Sequence, residues 1–332
     1  MTRQIPDPDD RPTDRLIDAI FRSLIWLARR LPYERRVIVG GWVFSRLIAP
    51  LAGYRRRIRA NLALVFPDMQ RSGVRRLCRA VPDHIGRNLI ELYSPEEFRP
   101  RAIAAPMTGA GTIPLNDARR ANRPVVLVSG HFGNFNVIRA AFAARGVSMA
   151  GLYRPMNNRF FNDHYVEAMT RIAAPLHPRD RAGMTAFIRH LRKGGTVAML
   201  LDQRMAHGQP LMFFGHRAWT ALSAAELALK FDALLLPIYA VRQENGLDFA
   251  IVAQAPIAHT TPEEMTQALN DSLEAMVRRH MDQWFWIHRR WAAPKAHHMP
   301  GGGMGQHPKK TDGVVPEPSE PPAPFNAGPP PR

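Results

Sequence analysis

Apolar residues recur at helical spacing from the start of the chain: Ile17, Ile20, Phe21, Leu24, Ile25, Leu27 and Ala28 fall within Leu16 to Leu31. Asp18, Arg22, Arg29 and Arg30 interrupt that stretch, and Arg15 precedes it. A second apolar run, Val37 to Tyr54, contains Gly40, Gly41, Arg46 and Pro50. Neither offers the roughly 18 uninterrupted apolar residues of a spanning helix. An aromatic, Arg-flanked amphipathic helix lies in a membrane interface; the plain alternative is a domain helix packed on the core. Arg35, Arg36 and the cluster Tyr54-Arg55-Arg56-Arg57-Ile58-Arg59 add a basic collar that suits an anionic surface. The start, MTRQIPDPDDRPTD, is acidic and proline-rich, unlike a signal peptide.

Farther along, the pattern predicts helices over 58–66 and 74–93, with Pro67 and Pro82 as breaks or kinks. Strands then alternate with helices. Strands are predicted over 125–128, 149–153, 196–201, 234–242 and 249–253, and helices over 135–144, 161–173, 184–191, 222–231 and 262–280. Such alternation predicts an α/β fold, a mixed sheet flanked by helices on both faces. The organisation read from these patterns is a flexible N-terminus over 1–14, a membrane-associating helical segment over 15–57, the main domain over 58–292 and a disordered Pro/Gly-rich tail over 293–332. The tail's His297, His298 and His307 lack Cys or carboxylate partners for a structural metal site.

Composition sharpens this picture. With 332 residues, 45% of them hydrophobic, the chain can bury a core and is not wholesale disordered. Its 45 basic against 28 acidic residues leave a net charge of +17, and forty of the 45 are Arg. That balance predicts an anionic partner, and the Arg fork suits phosphates. Nucleic acid is disfavoured, because the Arg residues are spread through apolar helices and no nucleic-acid module is recognisable. The single cysteine, Cys78, excludes an internal disulfide. No metal or cofactor is expected: the sequence has no HExxH, no paired Cys and no glycine-rich phosphate loop.

The candidate chemistry lies in Ser129-Gly130-His131-Phe132-Gly133-Asn134-Phe135-Asn136, between a strand and a helix. Open α/β sheets build sites at the carboxyl ends of strands, and a histidine there can act as a general base. Gly133 and Asn134 would let His131 sit ahead of the first helical turn and meet position 136, with Asn134 as N-cap for a helix starting at Phe135. The helix terminus would support a developing oxyanion. The bland reading is a strand-to-helix turn whose histidine is satisfied by backbone. Arg154, ending the second strand, and Arg171, on the next helix, are candidates for phosphate or oxyanion binding or else surface ion pairs. Asp202 follows an apolar strand and reaches the same edge. His207, His216 and Trp219 lie in a loop near the expected pocket, while Trp284, Trp286 and Trp291 suit either an interfacial edge or core packing.

These segments together resemble the lipid A biosynthesis acyltransferases, the lauroyl/myristoyl branch of the glycerolipid acyltransferase superfamily. The resemblance is carried in order by Arg55 to Pro67 (RRRIRANLALVFP), Ser129 to Asn136, Leu152-Tyr153-Arg154-Pro155, Leu201-Asp202-Gln203, Phe213-Phe214-Gly215 and Trp284 to Trp291 (WFWIHRRW), and it spans about residues 15 to 292. It implies a glycerolipid acyltransferase-like fold over 58–292 and acyl transfer from acyl carrier protein to a hydroxyl of a lipid A precursor. The place it implies is the cytoplasmic face of a bacterial inner membrane. It implies His131 as general base, a carboxylate five residues later as its orienter, and substrate contacts at Gly133, Asn134, Arg154, Arg171 and Asp202. Here position 136 is Asn. Three readings follow: Asn136 orients the ring through its amide oxygen; another acid, Asp202 or Glu226, replaces it in space; or the protein binds lipid without efficient turnover. A phospholipid or aminolipid O-acyltransferase is the neighbouring enzyme reading.

Overall fold

The computed structural model describes residues 12–205 and 208–292. His207, the tail histidines and most of the expected flexible N-terminus lie outside them. Five helical pieces come first: α1 (Pro12–Ala28), α2 (Tyr33–Val43), a π-helical turn (Phe44–Ile48) running into the single turn α3 (Ala49–Leu51), and α4 (Tyr54–Val65). Long α5 (Arg71–Leu92) and α6 (Pro95–Ala104) follow. Strand β1 (Met107–Thr108), α7 (Thr112–Arg120), β2 (Val125–Ser129), α8 (Asn136–Ala144), β3 (Met149–Tyr153), α9 (Arg159–Ile172), β4 (Leu176–Pro178), α10 (Arg181–Arg192) and β5 (Thr196–Leu200) then alternate. A hairpin of β6 (Gln209–Phe213) and β7 (His216–Thr220), α11 (Ser223–Lys230), β8 (Leu234–Arg242), β9 (Phe249–Ala253) and α12 (Pro262–Arg279) complete the order.

Seven strands form one mixed sheet in the order β1-β9-β8-β2-β5-β3-β4, and only β8 and β9 pair antiparallel. Strand β2 sits at its centre, buried at every position. Val125 and Leu127 enter a core with α8, whereas Val126 and Val128 enter the opposite one with Phe187 of α10 and Ala224 of α11. The alternation follows from the two-residue period of a strand, and burial on both faces explains the unbroken apolar run.

Several expectations need correction. Pro82 does not break the chain into two helices: α5 runs through it, giving up one backbone hydrogen bond while the helix packs on α2 and α4. Helices α6 and α7, strands β1 and β4 and the β6–β7 hairpin had not been anticipated. The hairpin turn is Phe214-Gly215, both at positive φ, as a two-residue type I′ connection requires. Helix α4 runs across residues 57 and 58, so no element ends at that boundary.

Helix α1 is amphipathic in an inverted sense. Asp18 is buried, its carboxylate 2.6 Å from His164 of α9, and Phe21 packs against Tyr93 and Phe161. Leu16, Ile17, Ile20, Leu24 and Leu27 all face outward and are more than half exposed. No single helix among the described residues is long and apolar enough to cross a membrane.

Candidate active site

Register places the chemistry. Parallel β2 and β5 are neighbours with Ser129 opposite Leu200, and the Leu201 amide donates to the Ser129 carbonyl at 2.9 Å. The second residues past each strand end, His131 and Asp202, therefore emerge side by side. Asp202 is fully buried, and its Oδ1 lies 2.8 Å from His131 Nδ1. Its Oδ2 accepts from the His131 backbone amide at 2.8 Å and from the Trp284 indole at 2.9 Å. Burial by itself would raise this carboxyl, but the facing His131, its two hydrogen bonds and the nearby His288 hold it well below the usual carboxylate range. A carboxylate accepts only, so Nδ1 of His131 carries a proton, and in the neutral ring Nε2 is then the nitrogen with the lone pair. That Nε2 faces Gln203, whose amide nitrogen is 3.4 Å away, and a quarter of the ring is open to solvent.

Asn136 is not the partner of His131. It opens α8 with its side chain buried on the far side of the turn, where Oδ1 accepts from Arg139 at 2.9 Å. Arg139 also donates to the Ala173 carbonyl, and burial brings its guanidinium down to about 10. Of the three readings of position 136, the geometry matches the second, with Asp202 rather than Glu226, which is exposed on α11. Asn136→Asp should accordingly pair with Arg139 and leave acyl-transfer turnover within about threefold of wild type, roughly 0.6 kcal/mol of barrier. A tenfold change either way would mean that this side chain acts on the ring.

Gly133 and Asn134 shape the turn rather than expose polar groups to a substrate. Gly133 has φ +53°, and a Cβ there would lie 1.7 Å from the Ala240 carbonyl oxygen. Its amide donates to the Gln283 carbonyl and its own carbonyl accepts from Asn88 at 2.6 Å. Asn134 is not the N-cap of α8, which is Phe135; its Oδ1 accepts from the Asn136 amide at 3.1 Å in a local turn just ahead of the helix. Asn134 Nδ2 donates to Glu91 Oε2 at 2.8 Å, and Glu91 pairs bidentately with buried Arg242. With the Asn136 and Val137 amides both bonded to Asn134, the helix terminus does not offer those donors to an oxyanion.

Arg154 stands exposed just beyond β3, at the same carboxyl edge of the sheet as His131. Arg171 does not join them: it pairs with Glu96 at 2.5 Å and lines a groove with Phe21, Ile25 and Trp26 of α1. His216 bonds the Leu64 carbonyl, and the Trp219 carbonyl accepts from Arg290. Trp284 and Trp286 are core residues, not an interfacial edge, and Trp291 donates to the Phe213 carbonyl at 3.0 Å. The segment that carries them walls the site: Phe285 donates from its amide to the His131 carbonyl, and the His288 ring lies 4.8 Å from that of His131.

His288 went unrecognised in the sequence, where it reads as one more basic residue of the terminal motif. Burial first, then His131, Arg290 and Arg57, bring it down to about 4, so it is neutral at physiological pH. Its Nε2 is buried with no hydrogen-bond partner among the described residues. His131, Asp202 and His288 place one ligand atom each within 4.8 Å of one another and are the set among the described residues that could hold a cation. A cation there would compete for the carboxylate that orients His131.

Comparison with known proteins bears on what this site does. The family model described as bacterial lipid A biosynthesis acyltransferase matches residues 8–293. The chain is similar to lipid A biosynthesis acyltransferase 2 of Shigella flexneri, 24% identical over 262 residues, which are 75% of this chain and 80% of that protein. It is also similar to the lipid A biosynthesis palmitoleoyltransferase of Escherichia coli strain K12, 23% identical over 276 residues, 81% of this chain and 89% of that protein. A lipid A biosynthesis acyltransferase of Haemophilus influenzae is 23% identical over 241 residues, 70% of this chain and 74% of that protein.

Proposed function

This chain belongs to the family of bacterial lipid A biosynthesis acyltransferases and is an acyltransferase, and from that premise we propose that it moves a fatty acyl chain from acyl carrier protein to a hydroxyl of a lipid A precursor, with His131 as general base and Asp202 as the carboxylate that orients it. The observation that carries the reading is the 2.8 Å bond between His131 Nδ1 and Asp202 Oδ1, with Nε2 turned toward the open side. In the reaction Nε2 takes the acceptor hydroxyl proton as the oxygen attacks the thioester carbonyl carbon. The carbon–sulfur bond then breaks, and Nε2 returns the proton to the departing thiolate. No acyl-enzyme is needed. Asp202 stays ionised throughout and stabilises the transient imidazolium, the logic of a triad carboxylate. Gln203 holds Nε2 at rest and yields to the incoming hydroxyl. Arg154, exposed at the same edge, suits a phosphate or the developing oxyanion.

The donor reading draws on the net charge of +17, which complements an acidic carrier protein. The membrane reading draws on α1, whose outward apolar residues belong in an interface; the place of action is then the cytoplasmic face of the inner membrane. The idea of a lipid binder without turnover loses its motive, because it rested on the missing acid at position 136 and Asp202 supplies one. A phospholipid or aminolipid acceptor is disfavoured by the names of the similar proteins, all of which refer to lipid A. The mass of lipid A from cells with and without this protein tests the acceptor: the expected result is one added fatty acyl chain, and unchanged lipid A with an altered phospholipid would overturn it.

A further inference from the structure

A cavity away from the active site lies between α5 and the π-helical turn. It measures about 590 Å³ and is lined by Arg46, Arg75, Arg76 and Arg79, with Trp42 and Ser45 beside them. All four guanidinium-bearing residues are exposed. None forms an ion pair with a carboxylate among the described residues. The acid in the lining, Asp83, is already bound to Arg87 at 2.5 Å, and His84 faces Asp282 at 3.3 Å.

The convergence is built. Gly40 and Gly86 let α2 and α5 cross in backbone contact: a Cβ on Gly86 would lie 2.5 Å from the Gly40 carbonyl oxygen, and one on Gly40 would lie 2.2 Å from Ile90. Immediately past the crossing α2 widens into the π-helical turn, Phe44–Ile48, which carries Arg46; such turns concentrate at functional sites. Ser45 Oγ donates to the Arg79 carbonyl at 2.7 Å, and Arg55 donates to the Ser45 carbonyl at 2.8 Å, fixing the turn against α5. Four like charges surround the cavity against two nearby acids, Asp83 paired with Arg87 and Asp282 shared between His84 and, at longer range, Arg76, which leaves a positive potential. The Arg fork matches tetrahedral oxyanions.

What borders the cavity identifies the anion's source. Trp42, Leu47 and Ile48 are about half exposed and Leu51 is 90% exposed. An acidic soluble protein would satisfy the arginines and leave these side chains in water. A bilayer takes both. We propose that the cavity of Arg46, Arg75, Arg76 and Arg79 binds the phosphate of an anionic bilayer lipid and thereby fixes how the protein sits on the membrane. The inference rests on the membrane-surface part of the proposed function and is independent of the chemistry at His131.

Sedimentation of the full chain with phosphatidylcholine vesicles, with and without phosphatidylglycerol, tests it. Wild type should bind the anionic vesicles preferentially. Arg75→Gln/Arg79→Gln should weaken that binding about thirtyfold, since each basic residue near such a surface contributes about fivefold. Arg189→Gln/Arg192→Gln, on exposed positions of α10 across the sheet, removes equal charge and should weaken it less than about threefold, because only charges near the surface contribute fully. If Arg75→Gln/Arg79→Gln fails to fold, Arg46→Gln/Arg76→Gln gives the same reading. Equal binding to both vesicle types, no loss in the cavity variants, or an equal loss in the α10 variant overturns the proposal. Unchanged vesicle binding with lost affinity for an acidic carrier protein also overturns it. Acyl transfer to detergent-dispersed lipid reads the His131 chemistry separately, so failure of one claim is distinguishable from failure of the other.

Discussion

Asp202→Asn is expected to lower the acyl-transfer rate by about 10⁴ while leaving KM nearly unchanged, the size of effect seen when the carboxylate of a catalytic triad becomes an amide. Asp202 accepts from His131 Nδ1, the His131 amide and the Trp284 indole. An amide has one acceptor oxygen for these three donors, so its NH₂ must meet either an N–H or the ring nitrogen. If it meets the ring, Nδ1 becomes the acceptor and Nε2 carries the proton, which disables the base. If it meets the indole, two buried donors oppose each other. In either case the imidazolium loses its counter-charge. Because the folded-state carboxyl is depressed, Asp202 also contributes stability at neutral pH that fades as the solution is acidified through the ordinary carboxylate range and below. The Asn variant should therefore show a flatter loss of stability in acid. A rate within tenfold of wild type would show that Asp202 merely braces the loop.

Glu91→Ala should cost about 3–5 kcal/mol in denaturant unfolding, since it strands a buried charge. Arg242 is 3% exposed, and its guanidinium donates twice to Glu91, once to Asn88 at 2.6 Å and once to the Gly246 carbonyl. Glu91 also takes Asn134, whose other end accepts from the Asn136 amide at the start of α8, while Asn88 holds the Gly133 carbonyl. Gln283 exchanges two hydrogen bonds with the Arg242 backbone and accepts from Gly133 through its own carbonyl. The turn that aims His131 is therefore clamped by one ion pair and three amide side chains. Loss of Glu91 should reduce transfer together with stability, although the residue touches neither ring nor substrate. A cost below about 1 kcal/mol would place the pair among those that add little. Replacing Glu91 and Arg242 together by apolar residues should cost less than Glu91→Ala alone, because no unpaired charge remains.

Much of this architecture was legible in the chain. The buried run Val125 to Val128 could only be a strand covered on both faces, and the glycine and asparagine after His131 announced a turn ahead of a helix. What spacing could not reveal was strand order. Position 136 is five residues from His131 and invites pairing, whereas Asp202 is on the other side of three helices and three strands in sequence and becomes adjacent only because β5 lies beside β2. Local pattern also failed where tertiary packing decides: Pro82 sits inside a helix held by its neighbours, and the tryptophans of the terminal motif fill the core beside Phe213 and Phe214. Glu91 and Arg242 read as ordinary charges on a helix and a strand end. Only the fold turns them toward each other. In helix α1 Asp18 interrupts the apolar pattern of the sequence, and in the fold it anchors the side opposite the outward apolar residues on α9.

The most direct measurement is the rate of acyl transfer from an acyl carrier protein thioester to a lipid A precursor by wild type and by His131→Ala. The general-base account predicts turnover in wild type and a loss of at least about 10² and up to 10⁴ in the variant, with folding intact because the ring is partly exposed at the edge of the sheet. Equal rates in the two proteins would contradict it.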